Sequence, residues 1–215
     1  MGNAYELRLS RLTDLGRILE LIIGASKWLA TKGTDQWLEP WPNRRARDER
    51  IREAVSAGKT WILMDGDIAV GTITADWRGE PAPGLPELWT AEERAELAVY
   101  AHRMVVRRDP AYQSRGIGEQ LLDTVGRLAG NAYGARYLRL DAWTTNARLH
   151  RYYKGLGFAR VRTYVEYEID CPSGALYQKP VEMLDGASVA FGVNPADAES
   201  WSTRAAADAV RLTHQ

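Results

Sequence analysis

Residues 102–118 read His-Arg-Met-Val-Val-Arg-Arg-Asp-Pro-Ala-Tyr-Gln-Ser-Arg-Gly-Ile-Gly, and this stretch decides the fold. Its apolar run, Met104 to Val106, predicts a buried strand. A turn follows at the Asp-Pro pair, and an amphipathic helix follows the two glycines. At Gly116 and Gly118 backbone N–H groups are free and the helix dipole is positive. Because glycines let a ligand approach the backbone closely, the pattern predicts a cradle for a phosphate-bearing ligand.

The glycine spacing separates three kinds of phosphate-binding loop. A P-loop reads G-x-x-x-x-G-K-[ST], and no such string is present. A dinucleotide fingerprint reads G-x-G-x-x-G, and Leu121 occupies the position of its third glycine. Residues Gln113 to Gly118 instead match Q/R-x-x-G-x-G/A at every fixed position.

This loop resembles the acyl-CoA loop of the GNAT superfamily of N-acetyltransferases. The resemblance implies that acetyl-CoA is the cosubstrate and that backbone amides of the loop bind its pyrophosphate. It also implies that the preceding strand pairs with the pantetheine arm. The residues expected to bind the cosubstrate on this basis are Met104, Val105 and Val106 of the strand and Gln113, Ser114, Arg115, Gly116, Ile117 and Gly118 of the loop.

A second motif follows further along the chain, in a predicted helix capped by Thr145 or Asn146. Tyr153 stands seven residues after Asn146, and a Gly-Phe pair follows four residues later. Seven residues are nearly two helical turns, so Asn146 and Tyr153 share one face and Tyr152 points elsewhere. The family has the same spacing. The resemblance implies that Asn146 contacts CoA and that Tyr153 faces the thioester sulfur.

The predicted elements follow the order β-α-α-β-β-β-α-β-α-β-β, which is the order that the resemblance implies. The expected fold is α+β, with a mixed, mostly antiparallel central sheet flanked by helices. Residues 1–181 form the predicted acetyltransferase domain, and residues 182–215 form a tail that is helical from about Pro195 or loosely ordered. The predicted strands lie at 5–9, 60–64, 68–74, 104–106, 137–140, 158–167 and 175–181, the helices at 13–33, 44–57, after 116 and after 146, and an insertion at 78–96.

Composition excludes several functional classes. The chain has 28 basic and 28 acidic residues, and a formal net charge of zero implies no bulk attraction to nucleic acid or membrane. A single cysteine, Cys171, cannot form an internal disulfide. The start of the chain lacks a signal pattern, and no segment is apolar for long enough to span a membrane. We therefore expect a cytoplasmic protein.

Acyl transfer to an amine needs a hydrogen-bond donor for the carbonyl oxygen, a base for the amine and a proton for the thiolate. The resemblance implies that the carbonyl donor is a backbone N–H of the motif strand, because family members splay this strand from the next one. Tyr153 is the expected partner of the thiolate. The base is left open between His102, Glu96, Asp76 and a chain of waters, and His150 is expected at the surface.

Aromatic residues mark the expected acceptor pocket. Trp28, Trp37 and Trp41 cluster around the end of the first helix, and Asp35 and Glu39 lie among them. Tryptophan faces together with a carboxylate suit a cationic amine. Three further tryptophans on predicted loops are expected to close the same opening, namely Trp77, Trp89 and Trp143.

These features predict an enzyme that acetylates a small-molecule primary amine by direct acyl transfer in a ternary complex. The alternatives are a protein N-terminal or lysine acetyltransferase and a non-catalytic acyl-CoA-binding sensor. Zero net charge and the tryptophan cluster favour a small substrate over a basic peptide, and the presence of Tyr153 counts against the sensor. A nucleotide-binding protein fits poorly, because no lysine follows the glycine loop and no magnesium ligands accompany it. Many relatives form dimers, so a homodimer is left open.

Overall fold

The structure is a computed structural model, and it describes residues 5–40, 42–77, 89–163, 174–184 and 191–212. One sheet of eight strands runs through these residues. The strands are β1 (Tyr5–Leu9), β2 (Thr60–Asp65), β3 (Ile68–Asp76), β4 (Ala98–Val106), β5 (Tyr137–Ala142), β6 (Ala159–Thr163), β7 (Ala175–Pro180) and β8 (Phe191–Val193). Their order across the sheet is β6-β7-β5-β4-β3-β2-β1-β8. Among the described pairs only β4–β5 and β1–β8 are parallel, so the predicted mixed, mostly antiparallel sheet is confirmed.

Local sequence signals set the starts of several helices. Asn43 accepts a hydrogen bond from the Ala46 N–H at 2.9 Å, and Thr90 and Glu93 cap each other's backbone. A 3₁₀ turn, Leu12–Asp14, stands where the first helix was predicted to begin. The helices are α1 (Leu15–Ala30), α2 (Arg44–Ser56), α3 (Ala91–Ala95), α4 (Ile117–Tyr133), α5 (Ala147–Gly155) and α6 (Pro195–Leu212).

The helices cover both faces of the sheet, because successive side chains of each strand point to opposite faces. In β2, Ile62 and Met64 face a core shared with α1 and α2. Trp61 and Leu63 face a core shared with α4 and α6. The site described below therefore lies in a sheet that is covered by helices on both faces.

The sheet opens at its middle, between β4 and β5. Their parallel pairing covers Ala98 to Tyr100 of β4 and, within these two described strands, goes no further. Beyond that point β5 pairs with β7, and β4 pairs with β3. The separation of the two strands that the resemblance implied is thus confirmed.

A β-bulge lies on β4 beside this opening. The β3–β4 register shifts between Thr72 and Thr74, and Arg103 takes a left-handed φ of 48°. A bulge bends its strand and redirects the side chains next to it. The bulge therefore decides which β4 side chains face the opening.

Residues 191–212 of the C-terminal tail pack against the rest of the fold, and of the two expected states, helical or loosely ordered, they show the helical one. β8 extends the sheet by pairing with β1. α6 begins at Pro195, as predicted, and Trp201 and Ala205 on it are fully buried against α4 and the sheet. Small alanine side chains carry much of this contact, so the helix shows little apolar periodicity in the sequence. None of the described helices is both long enough and apolar enough to cross a membrane.

Candidate active site

A cavity of about 830 Å³ occupies the opening between β4 and β5. Its walls come from the second half of β4, the loop before α4, the end of β5, α5 and the segment joining α1 to α2. Ligand-binding clefts for small molecules have volumes of this order. Both sequence motifs line this cavity, although they lie on different elements.

The loop before α4 presents backbone donors to the cavity. Gly116 caps the helix in a left-handed conformation (φ 66°), and no side chain caps this helix start. The first N–H groups of α4 can therefore bind an anion, which the helix dipole also favours. The Gln113 side chain donates to the Arg108 carbonyl at 2.6 Å and holds the loop against the end of β4.

Gly118 keeps the first turn of α4 open to the cavity. A Cβ atom at this position would lie 2.6 Å from the Tyr152 hydroxyl and 3.4 Å from the Met104 methyl group. A side chain there would fill the space in front of the helix start. The open backbone and the uncapped helix fit the pyrophosphate of CoA, which the resemblance assigned to this loop.

Arginines surround the same end of the cavity. Arg148 and Arg151 lie one helical turn apart on α5, Arg107 and Arg108 precede the loop, and Arg115 lies within it. Guanidinium groups form strong hydrogen bonds with phosphate oxygens. Of these five the sequence prediction named only Arg115. The spacing of Arg148 and Arg151 on the helix that Asn146 starts was the signal available.

The predicted binding strand contributes two side chains and an edge to the cavity. Met104 and Val106 line it. Val105 points to the other face and is buried against α1, so it can contribute only backbone atoms. A free strand edge beside a cavity offers backbone N–H and C=O groups to a ligand.

Asn146 caps the start of α5. Its side-chain oxygen accepts from the Leu149 N–H at 3.0 Å, and its amide donates to the Gln36 side chain at 2.6 Å. It lines the cavity but is buried and has these partners. Gln36, which the sequence prediction did not name, ties the α1–α2 segment to α5.

Tyr153 and Tyr152 both line the cavity. The Tyr153 ring is buried against Phe158 and Tyr177, and burial raises the pKa of its phenol well above the ordinary range. Burial also raises the pKa of Tyr152, to about 12. The prediction that Tyr152 points away from the site is wrong, because Tyr152 lines the cavity and its hydroxyl lies next to Gly118.

Of the candidate bases, His102 lines the cavity, where its ring stacks on Tyr100 at 4.6 Å. Glu96 lies at the opposite end of β4 in an ion pair with Arg136 at 2.7 Å. Asp76 is buried in an ion pair with Lys59 at 2.9 Å. His150, which was expected at the surface, is half-buried, and its ring nitrogens lie 2.7 Å from the Tyr177 hydroxyl and 3.0 Å from a backbone carbonyl.

The aromatic residues divide into two groups. Trp28, Trp37 and Trp143 line the cavity. Trp77 and Trp89 do not close its opening; they are buried, Trp77 against Trp201 and Trp89 against Tyr100. Trp41 lies outside the described residues.

Asp35 and Trp28 already have partners within the protein. The Asp35 carboxylate accepts from the Trp143 indole at 2.7 Å and from the Thr145 hydroxyl at 3.0 Å, and the first of these bonds lowers its pKa. The Arg108 guanidinium lies 4.2 Å from the centre of the Trp28 ring. The carboxylate and the aromatic face that were expected to meet a cationic amine therefore contact protein groups.

Comparison with known proteins agrees with this geometry. The family model described as "Acetyltransferase (GNAT) family" matches residues 26–158. No curated protein matches the sequence. A GNAT-family acetyltransferase from Listeria monocytogenes is 21% identical and superposes with a TM-score of 0.58, over 82% of this chain and 94% of that one.

Two further solved structures have the same fold. The PaiA N-acetyltransferase from Thermoplasma acidophilum, solved in complex with coenzyme A, is 16% identical with a TM-score of 0.58, over 82% of this chain and 99% of that one. The loading GNATL domain of CurA from Lyngbya majuscula is 16% identical with a TM-score of 0.59, over 84% of this chain and 99% of that one.

Proposed function

This chain belongs to the GNAT family of acetyltransferases, and from that premise we propose that it transfers the acetyl group of acetyl-CoA to the nitrogen of a small-molecule primary amine. One observation carries the proposal. The uncapped start of α4, the free edge of β4 and the Tyr153 side chain all face one cavity between two separated strands. The loop and its arginines would hold the phosphates of CoA, and the thioester supplies the activated acetyl group.

The chain's own residues then serve the transfer. The edge of β4 supplies backbone N–H donors for the carbonyl oxygen as negative charge develops on it. His102 takes the proton of the amine, since it is the candidate base that lines the cavity. Tyr153 donates a hydrogen bond to the sulfur as the carbon–sulfur bond breaks. The carbon–nitrogen bond forms in the same ternary complex.

Thiol release from acetyl-CoA, measured across a library of amines with mass detection of the acetylated product, tests the proposal. We expect release that depends on the amine, and an N-acetyl product. Tight CoA binding with no release for any small amine would instead support the sensor, and release with peptides alone would support a protein acetyltransferase.

The role of His102 has its own test. Imidazole is the side chain that titrates near neutrality, so a His102 base makes activity fall as the pH drops through that range. His102→Gln should lower kcat/KM for the amine by roughly 10²-fold or more and remove that acidic limb. An unchanged pH profile in His102→Gln would assign proton removal to water or another group.

A further inference from the structure

The cavity carries more positive charge than the binding of the CoA phosphates at the loop before α4 would require. Among the described residues, nine basic side chains line it, together with the carboxylates of Glu39 and Asp141. Five of the nine surround the loop before α4, as described above. The other four come from α2, from the turn after α1 and from the β4 bulge: Arg47, Arg50, Lys32 and Arg103.

Arg103 lies away from the phosphate end of the cavity. It stands three positions before Val106, the last residue of β4, which is about 10 Å along a strand. The bulge, with its left-handed φ at Arg103, gives this residue a place on the cavity wall. A strained backbone kept at a cavity is a reason to look for a function of the side chain it positions.

Arg103 is half-buried, and within the described residues its guanidinium forms no ion pair or hydrogen bond. Arg47, by contrast, is paired with Asp48 at 2.6 Å. Burial and the nearby positive charge of Arg50 lower the pKa of Arg103 to about 10, against the opposite effect of Asp76 and Asp141. Arg103 still carries its charge at neutral pH, and none of the described carboxylates lies at ion-pair distance from its half-buried guanidinium, so an anion in the cavity would be favourable beside it.

The two groups that the sequence predicted to attract a cationic acceptor, Asp35 and the Trp28 ring, have partners within the protein. Asp35 is bound by Trp143 and Thr145, and the Trp28 ring has Arg108 4.2 Å and Lys32 5.5 Å from its centre. The end of the cavity beyond the loop therefore favours negative charge on the acceptor.

We propose that the acceptor amine carries a carboxylate or phosphate group, that Arg103 binds this anion, and that Arg50, which lines the cavity near it, adds to the attraction, so that the two arginines determine specificity. This inference rests on the proposed function and names its substrate class. Guanidinium forks bind carboxylate and phosphate oxygens in pairs, which would also orient the amine. Arg103 and Arg50 select and position the acceptor; neither takes part in bond making.

The test compares each acidic amine with a neutral analogue of the same skeleton. One arm uses aminocarboxylic acids of increasing chain length beside their carboxamides, and the other uses phosphoethanolamine beside ethanolamine. We expect kcat/KM to favour the acid of at least one pair by on the order of 10- to 100-fold, the strength of a charge-assisted pair of hydrogen bonds. The arm with the larger ratio identifies the anion as carboxylate or phosphate.

Substitutions assign this preference to residues. Arg103→Gln and, independently, Arg50→Gln should bring the acid-to-neutral ratio close to one while leaving the KM for acetyl-CoA within a few-fold. Arg103→Lys should retain part of the preference. Arg52→Gln is the matched control, because Arg52 lies on α2, pairs with Glu49 and does not line the cavity.

A second measurement needs no turnover. Calorimetry with the CoA-loaded protein compares an N-acetylated acid with its amide, and binding of the acid alone, lost in Arg103→Gln, supports the anion site. The inference is overturned if kcat/KM is the same for the acid and the neutral analogue of every pair, or if this preference survives in both glutamine variants. It is also overturned if the acetylated acid and its amide bind equally, or if neither binds. Amine-dependent thiol release without acid preference leaves the proposed function standing, whereas acid binding without thiol release counts against the proposed function alone.

Discussion

The Tyr153 hydroxyl is kept protonated by its surroundings. Its ring lies 5.7 Å from the rings of both Phe158 and Tyr177, and burial raises the pKa of the phenol. Even an ordinary phenol gives a proton to a thiolate uphill by about 2 kcal/mol. Burial increases that difference, so in the proposed mechanism Tyr153 donates a hydrogen bond to the sulfur as charge forms on it and does not transfer its proton.

We expect Tyr153→Phe to lower kcat by roughly 10²- to 10⁴-fold, the usual range for a proton donor in the transition state. The ring is retained, so loss of packing should be small. The KM for acetyl-CoA should stay within a few-fold, because the ground-state thioester gains little from this hydrogen bond. Steady-state kinetics with both substrates varied measures both parameters.

Tyr152→Phe is the control for this substitution. The Tyr152 hydroxyl reaches toward Gly118 at the loop, so its removal should change CoA affinity by a few-fold and leave kcat close to wild type. Small, equal effects on kcat for both variants would mean that neither hydroxyl acts in catalysis. A larger kcat loss for Tyr152→Phe would transfer the role to Tyr152.

At the residue scale, sequence reasoning succeeded where the signal was a fixed local spacing. Asn146 and Tyr153 lie on one helix, so their common placement at the cavity follows from helix geometry. The partner of Asp35 did not follow from spacing, because Trp143 is 108 residues away in the chain. Contacts of that separation depend on how elements pack, which no local pattern records.

At the scale of elements, α4 has a left-handed glycine at each end. Gly116 (φ 66°) starts the helix at the cavity, and Gly134 (φ 72°) ends it. We expect Gly116→Val to weaken CoA binding by well over tenfold in calorimetry, because a branched side chain is strained there and stands in front of the helix donors.

Gly134→Val provides the matched control. A Cβ at Gly134 meets no neighbouring atom within 4 Å, so this variant carries a similar backbone strain without touching the loop. It should lose stability and keep its CoA affinity. Equal losses of affinity in the two variants would mean that strain in α4, and not the loop, controls binding.

Asp14 stabilises the start of α1, a helix that contributes residues to the cavity wall. Its buried carboxylate accepts two 2.8 Å hydrogen bonds from Arg8, and this interaction lowers its pKa from 3.8 to about 2. A lowered pKa in the folded state adds stability above the unfolded pKa near 4, and this stability is lost as the pH falls towards 2.

We expect Asp14→Asn to reduce the free energy of unfolding at pH 7 by about 2 kcal/mol, measured in urea. The difference from wild type should shrink as the pH is lowered from 5 to 3, because wild type loses the same interaction. Asp67→Asn, in the exposed turn between β2 and β3, should show no such convergence. A pH-independent difference would assign the loss to the packing of the amide at this position and not to the charge of the carboxylate.

The elements were predicted well because capping and apolar periodicity are local, and the exceptions have physical reasons. The bulge at Arg103 depends on how β3 and β4 pair, so the sequence shows only an arginine within an apolar strand. α2 was identified as a charged helix. Its buried residues Ile51 and Val55 fix which face turns inward, and Arg47 and Arg50 follow that face to the cavity.

At the scale of the whole molecule, the C-terminal segment supplies the eighth strand, which forms one edge of the sheet. β8 lies beside β1. α6 packs on α4, whose first residues follow the loop that was predicted to bind CoA. A family pattern that ends near residue 181 could not reveal this, since the tail belongs to this chain and its contacts are long-range. The tail is therefore a structural part of the domain.

Removal of residues 185–215 should consequently destabilise the protein, and Trp201 tests this at a single side chain. Trp201 is fully buried, with its ring 6.2 Å from Trp61 and 5.7 Å from Trp77. Trp201→Ala should lower the free energy of unfolding by about 3–5 kcal/mol in urea, because it removes a large buried side chain and leaves a cavity.

Thr203→Ala is the control, because Thr203 is exposed on the same helix, and it should change the free energy of unfolding by less than about 0.5 kcal/mol. Trp201 does not line the active-site cavity, so the folded fraction of Trp201→Ala should bind CoA with wild-type affinity. A loss below about 1 kcal/mol would mean that α6 contributes little to the core, and the deletion would then leave stability and CoA binding in place.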